Sequence, residues 1–200
     1  HGFGMLLQTA IAKTLRRAGL LQIHAAALCP PEGAAAALFA GPSGAGKSTL
    51  ALNLARRGWR FLSDDSVALR DSNGALTALP LRPDFRIVRE GDARTELIDP
   101  ERASPNQRLT SAVLGSLVFV EQSGDWDSRL VPLTKEGAFA RLPASVPEFG
   151  SGDGARWQLG FIARLSSLPA FTLSAGRDIL SGGAALERLL RGLPIGGPDS

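Results

Sequence analysis

The sequence predicts an α/β domain with a mixed β-sheet in which a glycine-rich, anion-binding loop joins a buried strand to a helix. Three observations carry that prediction. Gly41-Pro42-Ser43-Gly44-Ala45-Gly46-Lys47-Ser48 reads G-x-x-x-x-G-K-S, the pattern of a phosphate loop. The apolar runs Leu21 to Cys29 and Ala34 to Ala40 are separated by Pro30-Pro31-Glu32-Gly33, so an antiparallel hairpin leads into the loop and the sheet is mixed. Arg60-Phe61-Leu62-Ser63-Asp64-Asp65 is a further strand-like run that ends in paired carboxylates.

Taken in order, Met5 to Ala18 reads as a helix that carries Leu6, Ile11 and Leu15. Lys13, Arg16 and Arg17 in its last turns suit the negative end of the helix dipole, and Gly19 ends it. Leu21 to Cys29 and Ala34 to Ala40 then form the hairpin. Thr49 to Arg57 carries Leu50, Ala51, Leu54 and Ala55 at helical spacing. Val67 to Arg70 and Ala75 to Leu79 flank Asp71-Ser72-Asn73-Gly74, where Asn-Gly accepts the positive φ of a tight turn.

Pro80 to Ser111 shows little periodicity and is expected to be a mobile, substrate-facing segment. Its Arg82, Arg86, Arg89 and Arg94 are candidate phosphate clamps. Beyond it come a buried strand at Ala112 to Glu121, a polar loop from Gln122 to Asp127 and a short strand at Ser128 to Leu133. Helices at Lys135 to Leu142 and Arg156 to Leu168 flank the glycine joint 150–154. A last strand at Ala170 to Ser174 and a helix at Ala184 to Arg191 complete residues 1–193 as one domain, and residues 194–200 are expected to be a disordered tail. Leu180-Ser181-Gly182-Gly183 matches a transporter signature but lacks the strand that should follow it, so it reads as a helix cap.

In the loop, glycines let successive backbone N–H groups turn inward, the following helix aims its positive end at the same point, and Lys47 adds a full charge. Gly41, Ser43, Gly44, Ala45, Gly46, Lys47, Ser48 and Thr49 are therefore the candidate nucleotide-binding residues, with a nucleoside triphosphate as their ligand. Asp64 and Asp65 should emerge beside the phosphates, one carboxylate helping Ser48 to hold Mg²⁺, the other taking a proton from an attacking hydroxyl. His24 lies one hairpin away from the loop.

Composition excludes several classes. The 200 residues, 44% of them hydrophobic, suit one globular core. No apolar run is long enough to cross a membrane, and no basic, apolar and small segments announce a signal peptide, so a cytoplasmic protein is expected. The single Cys29 can form no internal disulfide and reads as a buried small hydrophobe. Net charge is +3, but arginines and acids interleave, and with no tyrosine there is no stacking platform for single strands. Nucleic acid is not expected as a partner.

From His24 to Leu69 the sequence resembles the HPr kinase/phosphorylase family, through Gly41 to Ser48 and through Arg57-Gly58 followed by the strand ending in Asp64-Asp65. Within that family it looks most like the shorter proteins found with peptide-tailoring genes, including lasso-peptide serine kinases. The resemblance implies the fold shared with phosphoenolpyruvate carboxykinase, and it suggests assembly into homo-oligomers. A histidine on the strand before the loop, here His24, belongs to the same pattern. The later Glu-x-Arg-Gly-x-Gly signature has only Arg89-Glu90-Gly91 as an echo, so an acceptor other than HPr itself is expected.

Resemblance and chemistry together imply an ATP-dependent kinase acting on a serine hydroxyl of a peptide or small protein. In this reading Lys47 spans the β- and γ-phosphates, Ser48 and Asp65 hold Mg²⁺, Asp64 is the base, and His24 orients Asp64 or the γ-phosphate. A kinase of a small metabolite alcohol would instead show a closed pocket near Asp64. A regulatory module that binds nucleotide without transfer would show no acceptor in any assay.

Overall fold

The computed structural model describes residues 2–72, 74–82, 84–88, 95–99, 105, 107–181 and 184–193. Helix α1 (Gly2–Arg17) ends where Gly19 takes a φ of 72°. The strands that follow are β1 (Leu20–Ile23), β2 (Ala25–Cys29) and β3 (Ala36–Ala40), with α2 (Lys47–Ala55) after the glycine loop. Next come β4 (Arg60–Ser63), β5 (Val67–Ser72), β6 (Ala75–Pro80), β7 (Phe85–Val88), β8 (Thr95–Ile98), β9 (Ala112–Gln122) and β10 (Arg129–Leu133). Helix α3 (Lys135–Arg141), a 3-10 turn (Leu142–Ser145), α4 (Asp153–Leu165), β11 (Ala170–Ala175), α5 (Asp178–Ser181) and α6 (Ala184–Arg191) complete the chain.

The main sheet runs β1-β5-β6-β9-β3-β2-β4, and β11 and β10 extend it from β9. The expected hairpin is present, with β2 antiparallel to β3, while β3 and β11 both lie parallel to β9. The sheet is therefore mixed, as the hairpin before the loop required. Alternation along β2 and β3 sends Ala25, Ala27, Ala36, Leu38 and Ala40 to one face and Ala26, Leu28, Ala37 and Phe39 to the other. On the first face pack Phe161, Ile162 and Leu165 of α4. On the second, α2 buries Leu50, Ala51, Leu54 and Ala55 together with Trp59 and Leu190. Alanines on the central strands leave room for these helices to approach closely.

The structure corrects the sequence expectation at three places that matter for the site. The run Leu21 to Cys29 is two strands: β1 pairs with β5, β2 with β3 and β4, and the chain changes partner at His24, whose N–H goes to the carbonyl of Ser145 (2.6 Å). The helix after the loop starts at Lys47 and not Thr49. Between Pro80 and Ser111, β7 and β8 form a separate antiparallel pair, anchored by Phe85, whose fully buried ring lies 4.2 Å from that of Phe61. Arg89 to Gly91, Arg94, the turn residue Asn73, Gly182-Gly183 and the tail 194–200 lie outside the described residues, as does the side chain of Arg86. Among the described residues no helix is long and apolar enough to cross a membrane.

Candidate functional site

β3 delivers the chain to Gly41 at the carboxyl end of the central strands. Its φ is 149°, and a Cβ at this position would overlap the carbonyl oxygen of Val120 on neighbouring β9, so the loop can leave the sheet here only through glycine. Gly46, at φ 90°, turns the chain into α2, and the first helical hydrogen bond runs from Leu50 N–H to its carbonyl (2.8 Å). Gln122, at the end of β9, steadies the loop by donating to the carbonyl of Gly44 (2.8 Å).

Lys47, the first residue of α2, is 6% exposed and curls back over the loop. Its Nζ donates to the carbonyls of Gly41 (2.8 Å) and Pro42 (2.9 Å). Burial pushes its pKa below the ordinary lysine value, while Asp65 and Asp64 pull it up. Ser48, one residue on, donates from Oγ to Oδ1 of Asp64 at 3.0 Å.

The paired acids distribute themselves in the reverse of the order expected from sequence, which grouped Ser48 with Asp65. β4 ends at Ser63, and Asp64 continues inward, fully buried, to meet Ser48. Asp65 has a φ of 66°, unique among the described non-glycine residues, and is bridged by a hydrogen bond from Ser66 N–H to the Asp64 carbonyl (2.8 Å). A three-residue turn of this kind is the rare, strained form of γ-turn. It sets the Asp65 carboxylate between His24 and Arg82.

Asp65 Oδ1 lies 3.1 Å from His24 Nδ1, and Oδ2 lies 2.9 Å from Nη1 of Arg82. His24 thus orients Asp65 and not Asp64. Burial lowers the pKa of His24 below 6.5, against the pull of Asp65 and with help from Lys47. The ring is therefore neutral at pH 7, and the nitrogen facing the carboxylate carries the proton. Arg82 is held by its backbone, since Ser63 Oγ accepts from its N–H (3.1 Å) and donates to its carbonyl (2.8 Å).

His24, Asp65 and Arg82 open into a cleft of about 450 Å³, walled also by Gln22, Ser66 and the 3-10 turn at Ala144 and Ser145. Of the four candidate clamps, Arg82 alone is placed in the site by the described side chains. Reasoning from sequence missed Gln22, Gln122 and the 3-10 turn altogether. Gln22 shares the His24 face of β1 by two-residue spacing, a signal that was available; nothing local marks the other two. Among the described residues no cluster of three or more His, Cys, Asp or Glu side chains could hold a metal.

The HPr(Ser) kinase/phosphatase from Coxiella burnetii resembles this chain in structure, with a TM-score of 0.50 over 85% of this chain and 93% of that one, at 16% identity. The likeness is one of fold. It supports a mixed α/β architecture with a curled sheet, of which the hairpin before the loop had foretold the mixed strand directions. No protein-family profile matches the chain, and no curated protein matches it in sequence.

Proposed function

We propose that the protein is an ATP-dependent kinase that phosphorylates a serine hydroxyl of a peptide or small protein, on a phosphate loop of the kind the sequence pattern implies. The observation that carries this reading is that Lys47, which closes over the glycine loop, is electrostatically coupled both to Asp64, held by Ser48, and to the His24-Asp65 pair. The first turn of α2 leaves backbone N–H groups with no partner inside the helix, and these suit a polyphosphate. In loops of this pattern the α- and β-phosphates sit on the helix side and the lysine reaches the β- and γ-phosphates. The γ-phosphate then comes to lie beside Gly41 and Pro42, next to the cleft.

Ser48 Oγ and Asp64 Oδ1, 3.0 Å apart, are hard oxygen donors of the kind Mg²⁺ takes when phosphates and waters supply the rest of its shell. Bound there, Mg²⁺ would neutralise charge on the phosphates. Geometry supports exchanging the roles that the sequence suggested, because Asp64 is sealed against Ser48 while Asp65 faces the cleft. Asp65 takes the proton of the acceptor hydroxyl as that oxygen attacks the γ-phosphorus in line, the bond to the β-phosphate oxygen breaks, and ADP departs. Neutral His24 holds the carboxylate in place through Nδ1–H. Arg82, on its other oxygen, would offset the charge of the transferred phosphoryl group. Such chemistry requires positioning and charge neutralisation above all.

The test is transfer of label from γ-labelled ATP to serine-bearing peptides, read by mass as one added phosphate. Binding of ATP with no transfer to any hydroxyl compound would leave a nucleotide-dependent regulatory module in its place.

A further inference from the structure

We propose that a second cleft, lined by Gly41, Pro42, Phe119, Glu121, Arg141 and Ala144, receives a bulky apolar side chain of the acceptor, so that the acceptor is an extended peptide with Leu, Met or Phe near its reactive serine. The proposal rests on the kinase reading above and names the substrate class of that site. The cleft has a volume of about 400 Å³ and shares Ala144 and Ser145 with the first one. The 3-10 turn is thus a common wall, with the Asp65 carboxylate on one side and the second cleft on the other.

Location and chemistry both point to the acceptor. Gly41 and Pro42 supply the carbonyls that hold Lys47 Nζ, which puts the second cleft at the loop end assigned to the γ-phosphate and away from the nucleoside. Its walls include the Phe119 ring, Pro42, Val120 and Ala144. Its charged groups cancel: Arg141 Nη1 lies 2.5 Å from Glu121 Oε1, also reaches Thr172 Oγ1 (3.2 Å), and its guanidinium stands 5.8 Å from the centre of the Phe119 ring. A neutral rim over hydrocarbon walls favours an uncharged, apolar occupant. A metabolite alcohol small enough for the first cleft has no group to place in the second, whereas an extended chain advances about 3.4 Å per residue and passes the wall within a few residues.

The experiment measures kcat/KM with γ-labelled ATP for serine-centred peptides in which every flanking position is in turn Leu, Phe, Glu or Lys, with the wild-type protein and Arg141→Glu. Free serine is run beside them. Leu or Phe at one flanking position should raise kcat/KM about tenfold or more over Glu or Lys, the scale on which apolar pockets discriminate. Arg141→Glu unbalances Glu121 and should move the preference at that same position to Lys, a gain that misfolding cannot imitate. Equal rates for all peptides, or an unchanged preference in the variant, overturn the subsite and leave the kinase reading standing. Transfer to free serine but to no peptide overturns the subsite and makes the acceptor a small molecule. Transfer to neither overturns both.

Discussion

The imidazole of His24 and the carboxylate of Asp65 lie 3.1 Å apart although forty residues and three strands separate them, and the Asp65 backbone adopts a left-handed conformation to make the contact. Strain of about 1–3 kcal/mol at a functional position persists only where the surroundings over-determine it. Here Ser63, Ser66 and Arg82 do so.

This contact separates the two acids experimentally. Asp65→Asn should retain nucleotide binding and lower transfer about 10²–10⁴-fold, the usual contribution of a general base. Asp64→Asn should instead weaken binding of ATP in the presence of Mg²⁺ and leave metal-free nucleotide binding nearly unchanged. Calorimetric titration with and without Mg²⁺, beside the label-transfer assay, distinguishes them; full transfer by Asp65→Asn would remove the proposed base.

Protonation of His24 gives a pH signature. Its folded-state pKa lies below the ordinary 6.5 because burial disfavours the charged ring. The unfolded chain therefore binds the proton at higher pH than the folded one, and this group's contribution to stability is complete above pH 6.5 and declines as the pH falls from there through the folded-state value. Urea midpoints between pH 8 and 5 should fall more steeply for the wild type than for His24→Gln. Parallel curves would show that the histidine is not held neutral.

Lys47→Met should reduce turnover by about 10²–10³-fold, as expected on removing one preorganised charge from the transferred group. The domain should still fold, because the ammonium is 6% exposed, is disfavoured by burial, and bonds only the loop carbonyls of Gly41 and Pro42. A cooperative thermal transition combined with that loss of turnover is the expected pair of results; wild-type turnover would contradict the phosphate role.

Gly41→Ala tests the loop's exit from the sheet. An added methyl group meets the Val120 carbonyl, and the φ of 149° is unfavourable for alanine, so neither the loop nor β9 can give way cheaply. We expect a loss of about 1–3 kcal/mol in stability and greatly weakened nucleotide binding, measured by chemical denaturation and titration. Gly44→Ala, where a Cβ meets nothing within 4 Å but φ is 81°, should be the milder of the two.

The glycine loop, its flanking strand and helix, the preceding hairpin and the Asp-Asp strand end were legible in the sequence because each is set by neighbours a few residues apart: glycine where φ must be positive, apolar residues at periods of 2 and 3.6, and Pro-Gly at turns. The same local rules could not reveal that Leu21 to Cys29 breaks at His24, because the break is made by a hydrogen bond to Ser145, over a hundred residues away. Nor could they reveal β7 and β8, whose anchor is the tilted ring contact of Phe85 with Phe61.

By itself, then, the sequence determined that a glycine loop, a lysine, a hydroxyl and two carboxylates would meet at one end of the strands of a mixed sheet. Which carboxylate faces which partner was decided by tertiary structure alone. Two adjacent aspartates are chemically equivalent along the chain, and they become different only when packing buries Asp64 against Ser48 while a strained turn presents Asp65 to His24 and Arg82.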